Sequence, residues 1–339
     1  MACCITSEIA MPGTFIDTLW QQDGELLRHF ATMLLPLLAI KVLPLPAQLQ
    51  PLRWQGKLAT ALAAKVLHLH RPQQQQSLAG VLSLLLLVLP FWIISALLLY
   101  MAAYPWFFEM LILYLCLQDM GLLGTASAIQ KALQQHDKPL ARQLLSPWVP
   151  WDTTELSETG MVKATIELLV TMPAYRLLGT LLAYLLLGAP LALLLAMLWQ
   201  LQLSWWPQSP RFSQFSKILG WLNYGLFWVP LKLWRLSLAF YGGFRRSAGT
   251  ECQTTHPALR GHQQLCAASA AMLQIELGGP QKYDGNKVRL QRHCFGPLPS
   301  ARDINRAQQL VNATLAFWLI LLSAIPLLWV GLRWFHTLS

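Results

Sequence analysis

The sequence predicts an all-α integral membrane protein of five to six transmembrane helices joined by helical cytoplasmic connections. Three observations carry this expectation. Hydrophobic residues fill 55% of the 339 positions and charged residues only 12%, about half the charge of an ordinary soluble domain. Apolar runs near 20 residues recur, long enough to cross a hydrocarbon core of roughly 30 Å as helices. Trp and Tyr crowd the ends of those runs (Tyr104, Trp106, Trp199, Trp205, Trp206, Trp221, Trp318 and Trp334), where amphipathic rings favour the headgroup zone.

In chain order, residues 1–29 form a mixed polar segment with no basic start ahead of an apolar core, so a cleaved signal peptide is not expected. Residues 30–43 are apolar but short and include Lys41, which fits either a tilted span or a re-entrant piece. They open a first membrane block, 30–124, with a basic loop at 44–77 and spans at 78–104 and 107–124. A helical segment follows at 125–176, then a second block at 177–241 with spans at 177–199 and 218–241. A polar segment at 242–312 leads to a final span at 313–334.

The connections read as mostly helical. Residues 125–135 and 139–145 have helical character, and Asp152, Thr153 and Thr154, or Ser157, supply N-terminal caps for a helix running from Glu158 to Val170. Residues 254–276 read as an Ala-rich amphipathic helix stopped at Gly278-Gly279-Pro280, with a turn at Tyr283-Asp284-Gly285. A short helix from Ala301 leads into the last span.

Charge sets the orientation. Lys and Arg number 25 against 15 Asp and Glu, a net charge of +10, and they concentrate in 44–77, 125–176 and 242–312. The other side holds little beyond Arg28, Arg211, Lys217 and Arg333. The positive-inside rule places the three basic connections in the cytoplasm. The charge excess then reflects topology, and nucleic-acid binding is not expected. The six cysteines are scattered and imply no disulfide framework. Cys252, His256, His262 and Cys266 lie close together, but at a spacing unlike that of structural zinc sites.

Several polar pieces occur in a characteristic order between the spans. They are Pro51-Leu52-Arg53-Trp54-Gln55-Gly56, Ala141-Arg142 with Val149, Asp152 and Thr153, Ala164 with Glu167, and His256-Pro257. Leu277-Gly278-Gly279-Pro280, Tyr283, Gly285, Asp303-Ile304 and Arg306-Ala307 complete the set. In this order they resemble the CobD/CbiB family, the membrane-bound adenosylcobinamide-phosphate synthases of cobalamin biosynthesis. The resemblance covers roughly residues 30–335.

The resemblance implies ATP-dependent amide bond formation between adenosylcobyric acid and aminopropanol or its phosphate, in a bacterial cytoplasmic (inner) membrane. It implies ATP and Mg²⁺ as cofactors, a corrinoid and an amine as substrates, the lipid bilayer as surroundings, and other cobalamin-assembly proteins as partners. Catalytic roles then fall on Asp152, Thr153, Glu167 and His256, with Asp152 and Glu167 as metal ligands. Arg53, Lys57, Gly278, Gly279, Lys282, Tyr283 and Asp303 become the cofactor-binding set. Mg²⁺ between phosphates needs hard oxygen ligands, and the spreading phosphate charge needs basic or N–H groups.

Structural roles compete for each residue. Asp152 suits a helix cap, Glu167 an i,i+4 ion pair with Lys163, and Arg53 and Lys57 positive-inside anchors. Gly278-Gly279 suits a helix stop, since no G-K-[ST] follows, and His256 an exposed loop. The chain also departs from the family pattern. Val149-Pro150-Trp151-Asp152-Thr153 stands for V-G-R-D-T, Gln50 for the first motif's His, and the carboxylates that should follow Glu167 are absent. A second reading is therefore a catalytically reduced member serving as a membrane sensor or accessory protein, similar to the AmpE proteins. A transporter would show paired charges or broken helices in matched halves, and neither is evident.

Overall fold

The computed structural model describes residues 15–118, 121–247 and 257–338. Helix α1 (Phe15–Val42) is followed by α2 (Pro51–Val66), α3 (Gln73–Met101) and α4 (Pro105–Cys116). Helices α5 (Leu122–Gln134) and α6 (Lys138–Leu145) form a hairpin in which Asp137 caps α6 by accepting the Leu140 N–H at 3.0 Å. Next come α7 (Glu158–Pro173), α8 (Thr180–Leu187), α9 (Ala189–Ser204), α10 (Lys217–Leu226), α11 (Trp228–Gly242) and the single turn α12 (Phe244–Ser247). Helix α13 (Arg260–Leu273) leads to four short strands, β1 (Glu276–Gly278), β2 (Gln281–Tyr283), β3 (Asn286–Val288) and β4 (Arg292–Cys294), and then to α14 (Ala301–Leu338).

The centre of the fold is one continuous helix made of α7, a six-residue π-helical stretch at Ala174–Gly179, and α8. Its apolar stretch is 83% buried, because Met161, Ile166, Leu169, Val170, Leu177 and Leu181 leave no polar face and every side needs a neighbour. Ser157 caps its start by accepting the Gly160 N–H at 3.1 Å. The π stretch begins right after Pro173, which has no N–H for the regular ladder. Glu158–Leu187, Gln73–Met101 and Ala301–Val330 are long and apolar enough to cross a membrane, and Arg28–Ile40, Pro105–Cys116 and Ala189–Ser204 are shorter apolar helices.

The helices agree with the all-α expectation, with the small strands as an addition, but five readings need correction, the first being the expected span 107–124, whose apolar helix ends at Cys116 while α5 starts separately at Leu122. The expected span 177–199 is two helices meeting at Gly188, whose φ of 74° only glycine adopts readily. Helix α9 turns back there and ends beside α2, where the Trp205 Nε1–H donates to the Ala59 carbonyl at 3.0 Å. Apolar residues flank the turn on both sides, so hydropathy shows no break. The expected span 218–241 is likewise divided at Phe227 into α10 and α11, of 10 and 15 residues. Asn223 Nδ2 donates to the Leu198 carbonyl at 3.3 Å and Trp234 Nε1 to the Val170 carbonyl at 2.8 Å, so the pair tucks against the inner halves of α9 and α7.

The hairpin at Gly188 also moves two charges. Arg211 and Lys217 lie on or beside a segment packed against α2 and the start of α3, so they join the basic end of the bundle and sharpen its charge asymmetry. The Ala-rich helix stops earlier than expected, at Leu273, because Gln274 turns left-handed (φ 54°). Gly278-Gly279-Pro280 therefore does not terminate it. The segment beyond forms β1 paired antiparallel with β4, and β2 with β3 around Asp284 and Gly285, both at positive φ as a tight hairpin turn requires. The helix from Ala301 is continuous with the last apolar stretch.

A methyl group on Gly80 of α3 would lie 1.9 Å from the Phe215 carbonyl oxygen, a backbone atom that cannot move aside cheaply, whereas Gly121 has open space around it. Gly80→Ala is expected to destabilise the protein by about 1–3 kcal/mol and Gly121→Ala to leave it unchanged, as measured by thermal unfolding in detergent.

Candidate functional site

A cavity of about 550 Å³ opens between the first half of α7, the loop 151–157 that precedes it, and the β-strands. Its size suits a small-molecule or nucleotide ligand. Asp152, Glu167, Gly278, Gly279 and Lys282 all line it.

Glu167 sits at the inner end. It is 8% exposed, and its Oε1 accepts the Gly278 N–H at 2.7 Å. Gly278 holds φ at 74°, and a side chain there would meet the Gln291 carbonyl at 2.3 Å; Gly279 follows at φ 122° with open space around it. The two glycines thus fold the backbone over the carboxylate. Lys163, one turn earlier on the same helix, reaches Glu276 Oε1 at 2.6 Å and the Gly278 carbonyl at 3.3 Å. The ion pair expected within the helix is therefore formed across the chain instead, and Glu167 is left to the backbone amide.

Asp152 sits at the outer end. Its N–H donates to the Lys282 carbonyl at 2.8 Å, and its Oδ2 accepts the Gly285 N–H at 3.2 Å. Ser157, not Asp152, caps α7; Asp152 instead ties its loop to the β2–β3 turn. Trp151 meets the buried ring of Tyr283 edge-on at 6.5 Å, and the Tyr283 hydroxyl donates to Gln281 Oε1 at 2.6 Å. Tyr283 underpins the hairpin, and burial holds its hydroxyl well above the usual phenol range.

The lining carries four carboxylates (Asp152, Glu155, Glu167, Glu276) and four cations (Lys163, Lys282, Lys287, Arg292). Lys163 pairs with Glu276, and Lys282 with Glu155 at 2.8 Å. The second pair is exposed enough to contribute little. The first is shielded, and the Lys163 hydrogen bond holds the Glu276 carboxyl below the usual range. Asp152 and Glu167 each keep a second oxygen that no hydrogen bond among the described residues engages.

Other expected residues lie elsewhere. Thr153 is buried, and its carbonyl accepts the Leu156 N–H at 3.2 Å. Arg53 and Lys57 are on α2, away from the lining. Asp303 closes a capping arrangement at the start of α14: its Oδ2 accepts the Ser300 N–H at 2.8 Å and hydroxyl at 3.0 Å, and its Oδ1 pairs with Arg306 at 2.9 Å. His256 and Cys252 fall outside the described residues. His262 is on α13, its Nδ1 shielded and without a hydrogen-bond partner, and burial lowers its pKa to about 4.

Among the described residues no group of three His, Cys, Asp or Glu side chains converges as a metal cluster. Asp152 and Glu167 are the two carboxylates of the lining that form no ion pair. The part of the site that sequence reading missed is Lys163, Glu276, Lys287 and Arg292. Lys163 and Glu276 are 113 positions apart, and no local motif marks them.

The profile of a family described as CobD/Cbib protein matches residues 33–311. A protein named Cobalamin biosynthesis protein CobD from Stutzerimonas stutzeri is 29% identical over 246 residues, covering 72% of this chain and 80% of that protein. Proteins of the same name match from Chromobacterium violaceum, 29% identical over 265 residues (76% and 83%), and Photorhabdus laumondii, 25% over 288 residues (81% and 87%). No solved structure matches.

The Lys163–Glu276 pair gives a direct test of how the cavity is held. Lys163→Met or Glu276→Gln is expected to cost about 1.5–3 kcal/mol, with the double variant losing less than the sum of the two. Because the Glu276 pKa is lowered on folding, its contribution is complete above the ordinary value of 4.5 and is lost as pH falls through the lowered one. Lys163→Met should flatten that acid limb. His262 acts at higher pH: its depressed pKa removes stability between 6.5 and about 4, and His262→Asn should flatten that window. Unfolding free energy measured from pH 7 to 3 checks both.

Proposed function

Because this chain belongs to the CobD/CbiB family, we propose that it acts in cobalamin biosynthesis as a membrane-bound amide synthase. It joins the carboxylate of adenosylcobyric acid to the amine of aminopropanol or its phosphate, driven by ATP, with the cavity on the cytoplasmic side of a bacterial inner membrane. The observation that carries this reading is the convergence of Asp152, Glu167, Gly278, Gly279 and Lys282, spread over 131 positions, on one cavity (282 less 152, counted inclusively).

Bound ATP and Mg²⁺ supply the leaving group that makes a carboxylate reactive towards an amine. The residues of the chain do the rest. Lys282, Lys287 and Arg292 offset phosphate charge, and Gly279, without a side chain, lets a ligand approach the backbone. Asp152 and Glu167, which form no ion pair, are the carboxylates that would hold the metal, from opposite ends of the cavity and with ligand phosphates between them. Trp151 and Leu298 line the apolar part of the mouth.

The thin carboxylate set supports a second reading, in which the fold is kept and the chain serves as a sensor or accessory protein. Expression in a bacterium lacking its own CobD/CbiB protein, supplied with cobyric acid, separates the two. Growth independent of cobinamide is expected, reduced at least tenfold in rate of cobinamide formation by Glu167→Gln and by Asp152→Asn. No rescue by wild-type protein that is demonstrably in the membrane would sink the synthase reading and leave the accessory one.

A further inference from the structure

A second recess of about 250 Å³ lies between α10, α11 and the start of α13, well apart from the cavity described above. Lys232, Arg235 and Arg260 line it, together with Tyr224, Trp228 and Gln264. No carboxylate is among the described lining residues, so the recess carries three positive charges. The Lys232 ammonium lies 3.8 Å from the centre of the Trp228 ring, which holds it at the rim. Gly261 lets α13 close onto Leu231, since a methyl group there would meet that side chain at 2.8 Å; this brings Arg260 alongside the two cations of α11.

The position of the recess is informative. The turn at Phe227 lies against Gly179, and Trp234 bonds to the Val170 carbonyl. Helix α10 therefore packs on α9, and α11, beyond the break at Phe227, runs along the apolar central helix. The outward surface of this pair is apolar, with Trp221, Val229, Leu236 and Phe240 each about half exposed or more. Three cations thus lie beside an exposed apolar surface. Intramembrane charges are costly unless they have a partner, and basic recesses between helices on this side suit anionic headgroups.

We propose that this recess binds the phosphodiester headgroup of an anionic phospholipid, whose acyl chains lie along the exposed faces of α10 and α11. Lys232, Arg235 and Arg260 neutralise the phosphate, while the Tyr224 hydroxyl and Gln264 amide supply neutral donors. A soluble anion would have no use for the apolar surround, which is why a lipid is the better fit. The proposal does not depend on the amide synthase reading.

The test uses the full chain in nanodiscs and neutral detergent. Native mass spectrometry would count retained phosphatidylglycerol against phosphatidylcholine, and Trp fluorescence would follow thermal unfolding with each lipid. Wild-type protein is expected to retain phosphatidylglycerol preferentially and to be stabilised by it. In Lys232→Gln/Arg260→Gln, whose altered side chains are both exposed, binding should weaken at least tenfold. Arg260→Gln alone, at the first turn of α13, should weaken it measurably, and Lys65→Gln/Lys131→Gln should not change it. Equal retention by wild type and the recess variants would overturn the proposal. Protection of wild type by millimolar inorganic phosphate or glycerol phosphate, matching that by phosphatidylglycerol, would also overturn it and mark a soluble-anion site.

Discussion

The helix from Glu158 to Leu187 has apolar side chains on every face, and 83% of its apolar stretch is buried, so each neighbour has to present an apolar surface to it. Helices α5, α6, α13 and α14 meet α7, α11 meets the π stretch, and α9 meets α8 and the π stretch. Among the polar groups that reach this interior, Trp234 is tied to the Val170 carbonyl and Arg176 to Gln200 Oε1 at 2.6 Å, whereas Trp199 Nε1 and His262 Nδ1 have no hydrogen-bond partner among the described residues. An unpaired group at that depth would cost several kcal/mol in hydrocarbon. The enclosing requirement thus decides where chemistry is possible, namely at the polar start of the helix.

At that start, Lys163 and Glu167 face the segment 276–279 rather than each other. The reason lies in the partners available. Glu276 offers Lys163 a full opposite charge at 2.6 Å, and the Gly278 amide, bent inward by a glycine conformation, offers Glu167 a donor at 2.7 Å. Each charged side chain thereby fixes a point on a strand that has few other contacts with helices. One wall of the cavity comes from α7 and the other from two short strand pairs.

Much of the fold class was legible because hydropathy reports whole apolar runs and the Lys and Arg distribution reports sides. Hydropathy could not report the turns inside those runs. Gly188 and Phe227 sit among apolar residues, so one expected span proved to be a hairpin and another two helices broken at Phe227. For the candidate site, Asp152, Glu167, Gly278, Gly279 and Lys282 could be singled out by local pattern, and they meet. Arg53, Lys57 and Asp303 carried patterns as good, yet Asp303 is occupied in a helix cap and the other two lie on α2. Lys163 and Glu276 were invisible as a pair because their relation exists only after the chain has crossed itself 113 positions later.

The break between α10 and α11 has a consequence for how the chain is made. Helices of 10 and 15 residues are each too short to cross a bilayer, and both hold on to earlier parts of the chain, Asn223 through the Leu198 carbonyl and Trp234 through the Val170 carbonyl. The surfaces that receive them, on α7 and α9, precede them in the chain, so the template on which these residues pack is made before they are.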